Sequence, residues 1–143
     1  MRAILSLLTL AFAHMEGRID PPSSLDRMGA AELAQQATKA ELWVIEDQTG
    51  PLACMILTPQ PETLYLGKLA VALAARGQGL ARRMIDTAVD RARALGLPSI
   101  SLQTRIELLE NHATFAALGF EMTGSTAHPG YDRPTSLSFR RMV

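Results

Sequence analysis

The feature that most constrains the fold is a glycine-rich turn that joins an apolar segment to the most regular helical pattern in the chain. Residues 63–71 are mostly apolar, which is typical of a strand inside a sheet. From Leu80 onward, apolar residues recur every three or four positions until Gly96 and Pro98 end the pattern. This spacing predicts an amphipathic helix. A strand, a turn and a helix therefore follow one another in the middle of the chain.

The turn itself, Arg76-Gly77-Gln78-Gly79, suits the binding of an anion. Glycines let the backbone approach a ligand closely, and the first N–H groups of a helix have no partner within the helix. The partial positive charge at the helix N-terminus adds attraction for a pyrophosphate. The turn is not a P-loop, which ends in Gly-Lys-Ser/Thr, and Arg82 stands where a dinucleotide fingerprint has its third glycine or alanine. A simple tight connection is the alternative interpretation.

The rest of the chain divides into segments of helical and extended pattern. We expect helices over about residues 2–17, 30–39, 80–95 and 110–118, and strands over 42–47, 52–57, 63–71, 100–104, 120–123 and 136–142. The strand that follows the glycine turn and its helix predicts a parallel strand-helix-strand crossover. Residues 1–143 are expected to form one α/β (α+β) domain, because this length can bury a single core.

Charge and cysteine content exclude several classes of function. Lys and Arg together number 14, as do Asp and Glu, and basic residues are concentrated only in the short region 76–93. Nucleic acid is therefore not expected as a main partner. Cys54 is the only cysteine and lies in an apolar run, so we expect a small core residue rather than a disulfide or metal ligand.

The N-terminal segment has two interpretations. Apolar residues 4–13 resemble a secretory signal with a cleavage site after Ala13. Polar residues are interleaved among them at helical spacing, which favours an amphipathic helix and a cytoplasmic protein. The apolar stretch is also shorter than the roughly 20 residues that span a bilayer.

Two blocks of sequence around the turn resemble the GNAT superfamily of N-acetyltransferases, the first its motif A and the second its motif B. The residues that carry the resemblance are Leu69-Ala70-Val71, Arg76-x-x-Gly79-x-Ala81, and Asn111 with Phe115-Ala116-Ala117-Leu118-Gly119-Phe120. The resemblance implies a mixed, mostly antiparallel central sheet flanked by helices, with a splayed pair of parallel strands around the cofactor helix. It also implies acetyl-CoA as the cofactor and no metal.

The resemblance further implies how the cofactor is held. The strand before the turn would pair with the pantetheine amides, and the amides of the turn and helix start would hold the pyrophosphate. Asn111 would bind the pantetheine side, and Phe115 would pack close to the sulfur. The implied cofactor residues are Leu69, Ala70, Val71, Arg76, Gly77, Gln78, Gly79, Leu80, Ala81, Asn111 and Phe115.

Acetyl transfer to an amine requires that the amine lose a proton and that the leaving thiolate be stabilised. Direct attack on the thioester needs no covalent enzyme intermediate, and the backbone N–H of Val71 is the candidate oxyanion donor. Many family members have a tyrosine where this sequence has Phe115, and some have a glutamate where it has Tyr65. The candidate proton carriers are Tyr65, His112, His128 and Tyr131, for each of which a structural or surface role is the alternative.

Two loops are expected to line the acceptor pocket, because in this fold the loop between the first two helices and the loop before the last strand usually do. The charged and aromatic residues of these loops are Glu16, Arg18, Asp20, Tyr131, Asp132 and Arg133. Their mixed charges suit a small polar or zwitterionic acceptor, whereas two loops that merely pack together are the alternative. Arg105, which directly follows a strand, is a further candidate for this pocket, and an ion pair with Glu107 or Glu110 is the alternative.

The sequence thus predicts a cytoplasmic, acetyl-CoA-dependent N-acetyltransferase that acts on a primary amine of a small molecule or peptide. A non-catalytic acyl-CoA-binding or regulatory module of the same fold is the rival prediction, because Phe115 and Tyr65 replace the usual proton-handling groups. A homodimer is compatible with the expected sheet, since exposed edge strands are often paired.

Overall fold

The computed structural model describes residues 2–11, 13, 18–21 and 29–143, without the side chains of residues 36, 37 and 39. The elements in chain order are α1 (Arg2–Ala11), α2 (Ala30–Lys39), β1 (Glu41–Asp47), β2 (Gly50–Pro59), β3 (Leu64–Val71), α3 (Leu80–Ala94), β4 (Ser99–Arg105), α4 (Leu109–Ala117), β5 (Glu121–Thr126) and β6 (Ser136–Met142). Each predicted helix and strand is present. Helix α1 is described as far as Ala11, and the expectation that it reaches residue 17 falls on residues 12 and 14–17, which lie outside the described part.

The strands form one six-stranded sheet in the order β1-β2-β3-β4-β6-β5. All neighbouring strands are antiparallel except β3 and β4, which are parallel and joined through α3. The pairing of β3 with β4 covers only Leu64 with Ile100 and Tyr65 with Ser101, so the two strands separate beyond this point. The predicted mixed, mostly antiparallel sheet with a splayed parallel pair is confirmed.

Helices cover the sheet on two sides. On one side, α3 packs Met84, Ile85 and Ala88 against buried residues of β2, β3 and β4. On the other side, Leu8 of α1 and Leu33 of α2 are fully buried in a second cluster with residues of β2 and β3. The first helix is therefore the amphipathic helix that its spacing predicts. None of the described helices has the length and apolar composition that crossing a bilayer requires.

Two observations describe where α3 ends and how it is attached to the sheet. Its buried stripe was expected to include Leu95, but that side chain is 41% exposed because the helix ends at Ala94 and Gly96 takes a left-handed φ of 72°. Arg91 of α3 forms a double hydrogen bond with Glu41 of β1, at 2.8 and 2.7 Å. The last turn of the helix is thereby joined to the edge strand β1.

Candidate functional site

A cavity of about 430 Å³ lies beside the second half of β3. It is bounded by the end of α1, the glycine turn, the start of α3 and one side of α4. The residues that line it are Ala11, Leu69, Ala70, Val71, Ala75, Arg76, Gly77, Gly79, Leu80, Ala81, Asn111, Thr114, Phe115 and Leu118. Every residue that the resemblance implied for the cofactor is among them except Gln78.

The glycine turn follows a short 3-10 helix, Leu73–Ala75, and leads into α3 in a left-handed conformation. Gly77 has a φ of 82°, and Gly79, the N-cap residue of α3, has φ 76° and ψ 19°. Residues with a Cβ pay roughly 1–2 kcal/mol for this conformation, which explains the glycines. No described side chain caps the helix, and the first bond within it runs from the N–H of Arg83 to the carbonyl of Gly79 at 3.1 Å. The N–H groups of Leu80 and Ala81 are therefore left without a helix partner at the wall of the cavity.

The charges at the start of α3 also favour an anion. Its first turn contains no acidic residue, although acidic side chains are the ones that stabilise a helix N-terminus. The guanidinium of Arg76 donates to the carbonyl of Ala11 at 3.3 Å and to that of Val71 at 3.5 Å. These two bonds hold the turn against the ends of α1 and β3. The backbone N–H groups at the start of α3 are thus held in place before any ligand binds.

The second half of β3 presents an unpaired backbone edge to the cavity. On one side Ala70 and Val71 pair with β2, whereas pairing with β4 on the other side ends at Tyr65. The β2–β3 register shifts opposite Lys68, whose φ of 50° is the one left-handed non-glycine value among the described residues. Such a bulge bends a strand and increases its twist. The resulting free edge can hydrogen-bond an extended, amide-containing ligand.

Helix α4 forms the opposite wall. Asn111 donates from Nδ2 to the hydroxyl of Thr104 at 3.3 Å, which orients its amide at the end of β4. Phe115 packs edge-on against Phe120, with ring centres 5.9 Å apart, and lies 6.3 Å from the ring of Phe139. Asn111 is thus a polar group, and Phe115 an apolar one, at the cavity wall. Phe115 offers no hydroxyl at this wall.

The four candidate proton carriers lie outside the lining of this cavity. Tyr65 is half-buried on β3 where the strands begin to separate, and burial raises the pKa of its hydroxyl. His112 Nε2 lies 3.1 Å from the carbonyl oxygen of Arg105. Because a carbonyl only accepts, Nε2 carries the proton and Nδ1 remains the basic nitrogen. For His128, burial and then the charge of Arg105 lower the pKa of the imidazole.

The two loops predicted to line an acceptor pocket do contact each other. Tyr131 donates from its hydroxyl to Asp20 Oδ1 at 2.6 Å, and Arg133 Nη2 lies 2.8 Å from Asp20 Oδ2. The hydrogen bond to Asp20 raises the pKa of Tyr131. Arg18 forms an ion pair with Glu110 at 2.8 Å. We call residues 18–20 the strap. Glu16, the remaining candidate of this loop, lies outside the described residues.

The strap lies over the end of β4. The backbone N–H of Asp20 donates to Glu107 Oε2 at 3.2 Å. Burial lowers the pKa of Arg105, and the negative charges of Glu107 and Asp20 act in the opposite direction. Arg105 and Asp20 are therefore close enough to interact, together with Tyr131, whereas Glu110 is paired with Arg18. The acceptor candidates Asp20, Arg105 and Arg133 thus belong to one charged cluster.

Some lining residues had not been predicted. Asn111, Thr114, Phe115 and Leu118 are spaced three or four residues apart, so they lie on one side of α4. Extending the helical spacing from Asn111 and Phe115 would therefore have predicted Thr114 and Leu118. Ala11 comes from the far end of the chain, and no local pattern marks it. The described residues contain no group of three His, Cys, Asp or Glu placed to hold a metal ion.

The chain resembles known proteins both in its sequence and in its fold. The sequence pattern of the acetyltransferase (GNAT) family matches residues 3–120. An acetyltransferase from Streptococcus agalactiae 2603 superposes with a TM-score of 0.76 at 17% identity, over 99% of this chain and 90% of that one. A GNAT family acetyltransferase from Elizabethkingia anophelis, solved with acetyl-CoA bound, gives 0.69 at 17% identity, over 96% and 89%. The ribosomal-protein-S18-alanine N-acetyltransferase from Escherichia coli gives 0.65 at 20% identity, over 94% and 86%.

Proposed function

Because the chain belongs to the acetyltransferase (GNAT) family, we propose that it transfers an acetyl group from acetyl-CoA to a primary amine of a small molecule or peptide. One observation carries the proposal. The uncapped start of α3 and the unpaired edge of β3 line the same cavity. The uncapped helix start suits a pyrophosphate, and the unpaired strand edge suits an arm that contains amides. Coenzyme A contains both groups.

The residues of the cavity fit this cofactor, which when bound supplies an acetyl group activated as a thioester. The N–H groups of the turn and helix start bind the pyrophosphate, since they are unpaired and lie at a positive helix end. The edge formed by Leu69, Ala70 and Val71 binds the pantetheine amides, and Asn111 adds a polar contact from α4. Phe115 contributes an apolar wall beside the sulfur. These assignments are supported by the lining of the cavity.

We propose direct transfer, without a covalent enzyme intermediate. Cys54 is the only thiol of the chain, it is 1% exposed, and burial raises its pKa to about 12. The raised pKa of Tyr65 and of Tyr131 keeps both hydroxyls protonated at neutral pH. Both are therefore suited to donating a proton to the leaving thiolate rather than to accepting one. His112 is the candidate that can accept a proton, through Nδ1.

The charged cluster that contains Asp20, Arg105 and Arg133 is the proposed acceptor site. Asp20, Arg105 and Arg133 contribute to it directly, and Arg18 through its pairing with Glu110. Charges of both signs suit a polar acceptor with an amino group. We also place the protein in the cytoplasm, where acetyl-CoA is available. The edge strand β5 is exposed along its whole length and supports a homodimer as part of the proposal.

The second candidate function is a non-catalytic acyl-CoA-binding module. The observation that favours it is Phe115, an apolar side chain at the cavity wall in a position where the family often has a tyrosine. Isothermal titration with acetyl-CoA tests both candidates, because failure to bind at millimolar cofactor would contradict each. Release of free CoA across a panel of amines then separates them. Turnover with any amine supports the transferase, and binding without turnover supports the module.

A further inference from the structure

Glu107 lies between the end of β4 and the start of α4, and its two carboxylate oxygens have different surroundings. Oε2 accepts the hydrogen bond from the backbone N–H of Asp20, at 3.2 Å. Oε1 is shielded from solvent and has no hydrogen-bond partner within the part of the chain that the structure describes. One oxygen therefore fixes the orientation of the carboxylate, and the other lacks a donor among the described residues.

A buried carboxylate oxygen without a donor needs a physical explanation. Roughly 90% or more of buried polar groups in proteins are hydrogen-bonded, and leaving a charged acceptor unsatisfied is unfavourable. A ligand that supplies the missing donor accounts for such a group. The donor that best matches a carboxylate is a primary ammonium, which has three N–H groups and a full positive charge.

The position of Glu107 connects it with the cavity. The parallel strands β3 and β4 separate toward their carboxyl ends, which is where ligands bind in open sheets with parallel strands. Thr104 at this end of β4 is bonded to Asn111, a residue of the cavity wall. The charges of Arg105 and His128 also lie within range of Glu107. Glu107 is not part of the cavity lining itself; it follows Thr104 by three residues, in the segment that connects β4 to the helix that carries Asn111.

Building on the proposed transfer to an amine, we propose that Glu107 Oε1 binds the protonated amino group of the acceptor and so selects ammonium-bearing acceptors over neutral ones. Asp20 is a positioning residue, because its N–H holds the other oxygen. The strap covers this carboxylate and is held by two ion pairs whose side chains are 43–60% exposed. Ion pairs this exposed contribute only about 0–1 kcal/mol each, so they add little to the stability of the strap.

The test is the binding of n-butylammonium to the CoA-saturated protein, followed by ligand-observed NMR at pH 7, with 1-butanol as the neutral probe. Glu107→Gln keeps the size of the side chain and removes its charge. We expect it to weaken n-butylammonium at least about tenfold and to leave 1-butanol unchanged. Glu107→Asp keeps the charge on a shorter side chain, and its affinity for n-butylammonium is expected to lie between those of the wild type and Glu107→Gln. Glu121→Gln, on the exposed strand β5, is the matched control and is expected to bind like the wild type.

Two results would overturn the role of Glu107: equal n-butylammonium affinity in wild type and Glu107→Gln, or no binding of this probe by the wild type. Unchanged affinity of Glu107→Gln for acetyl-CoA verifies that the variant is folded. CoA release is measured separately. Ammonium binding that depends on Glu107 without any turnover contradicts the proposed transfer and supports the role of Glu107. Turnover together with unaltered ammonium affinity in the variant supports the transfer and overturns that role.

Discussion

Replacement of Gly79 by glutamate is expected to abolish the binding of acetyl-CoA, and the same helix offers a matched control. Gly79 precedes α3 and has φ 76°, whereas Gly96 follows it and has φ 72°. A Cβ added at either glycine meets no atom within 4 Å. The two substitutions therefore impose the same backbone strain and no clash. They differ in that Gly79 lines the cavity and Gly96 does not.

The sizes of the two effects can be separated. A residue with a Cβ in the left-handed conformation costs roughly 1–2 kcal/mol of stability at either position. The helix dipole favours a carboxylate at the N-terminus and disfavours it at the C-terminus by about 0.3–1 kcal/mol. Gly96→Glu should thus be at least as destabilised as Gly79→Glu. For binding, two negative charges about 5 Å apart at an effective dielectric constant of ~20 repel by about 3 kcal/mol. This corresponds to a loss of more than about 100-fold for Gly79→Glu alone.

Thermal unfolding and isothermal titration with acetyl-CoA measure these two quantities on the same samples. The expected pattern is a similar or lower Tm for Gly96→Glu with unchanged affinity, and loss of affinity for Gly79→Glu. Comparable affinity loss in both variants would show that the effect comes from destabilised folding. Retained affinity in Gly79→Glu would show that the pyrophosphate binds elsewhere.

Three further outcomes are expected. Phe115→Tyr introduces a hydroxyl at the cavity wall and should raise kcat for CoA release severalfold without changing the Kd of acetyl-CoA; an unchanged kcat would show that a hydroxyl at this position does not protonate the leaving thiolate. Glu41→Gln should lower stability at pH 7, because the hydrogen bonds from Arg91 depress the pKa of Glu41 in the folded state. That contribution is present above the unfolded pKa of about 4.3 and is lost as pH falls through the lower folded value, so chemical denaturation should show the two proteins converging at acidic pH. Cys54 should react with a thiol reagent at neutral pH only after unfolding, since it is buried and its pKa is raised to about 12; rapid reaction of the folded protein would contradict its place in the core.

Local pattern was sufficient to predict the helices and strands, and the resemblance to the GNAT superfamily added most of the residues that line the cavity. The spacing of Met84, Ile85 and Ala88 identifies α3, and the glycines before it indicate a left-handed turn at the helix start. Both are short-range features, because a helix side and a left-handed turn are specified by residues only a few positions apart.

Contacts between distant segments were not predictable in the same way. Nothing in the sequence around Glu107 indicates that its Oε2 meets the N–H of Asp20, 87 positions away. The sequence likewise left two options for Arg105, as an acceptor residue or as an ion-pair partner. The structure places it in a cluster with Asp20 and Tyr131, which depends on how two loops and the end of β4 come together. A cluster formed by three separate segments is determined by tertiary packing rather than by spacing along the chain.

The central claim is that one cavity binds acetyl-CoA through the start of α3 and the free edge of β3. Mapping of backbone amide chemical shifts during a titration with acetyl-CoA tests it most directly, because the donors in question are backbone N–H groups. The account predicts the largest shifts at residues 69–71, at 78–81 and around Asn111. Saturable binding that leaves these amides unchanged and shifts another surface would contradict it.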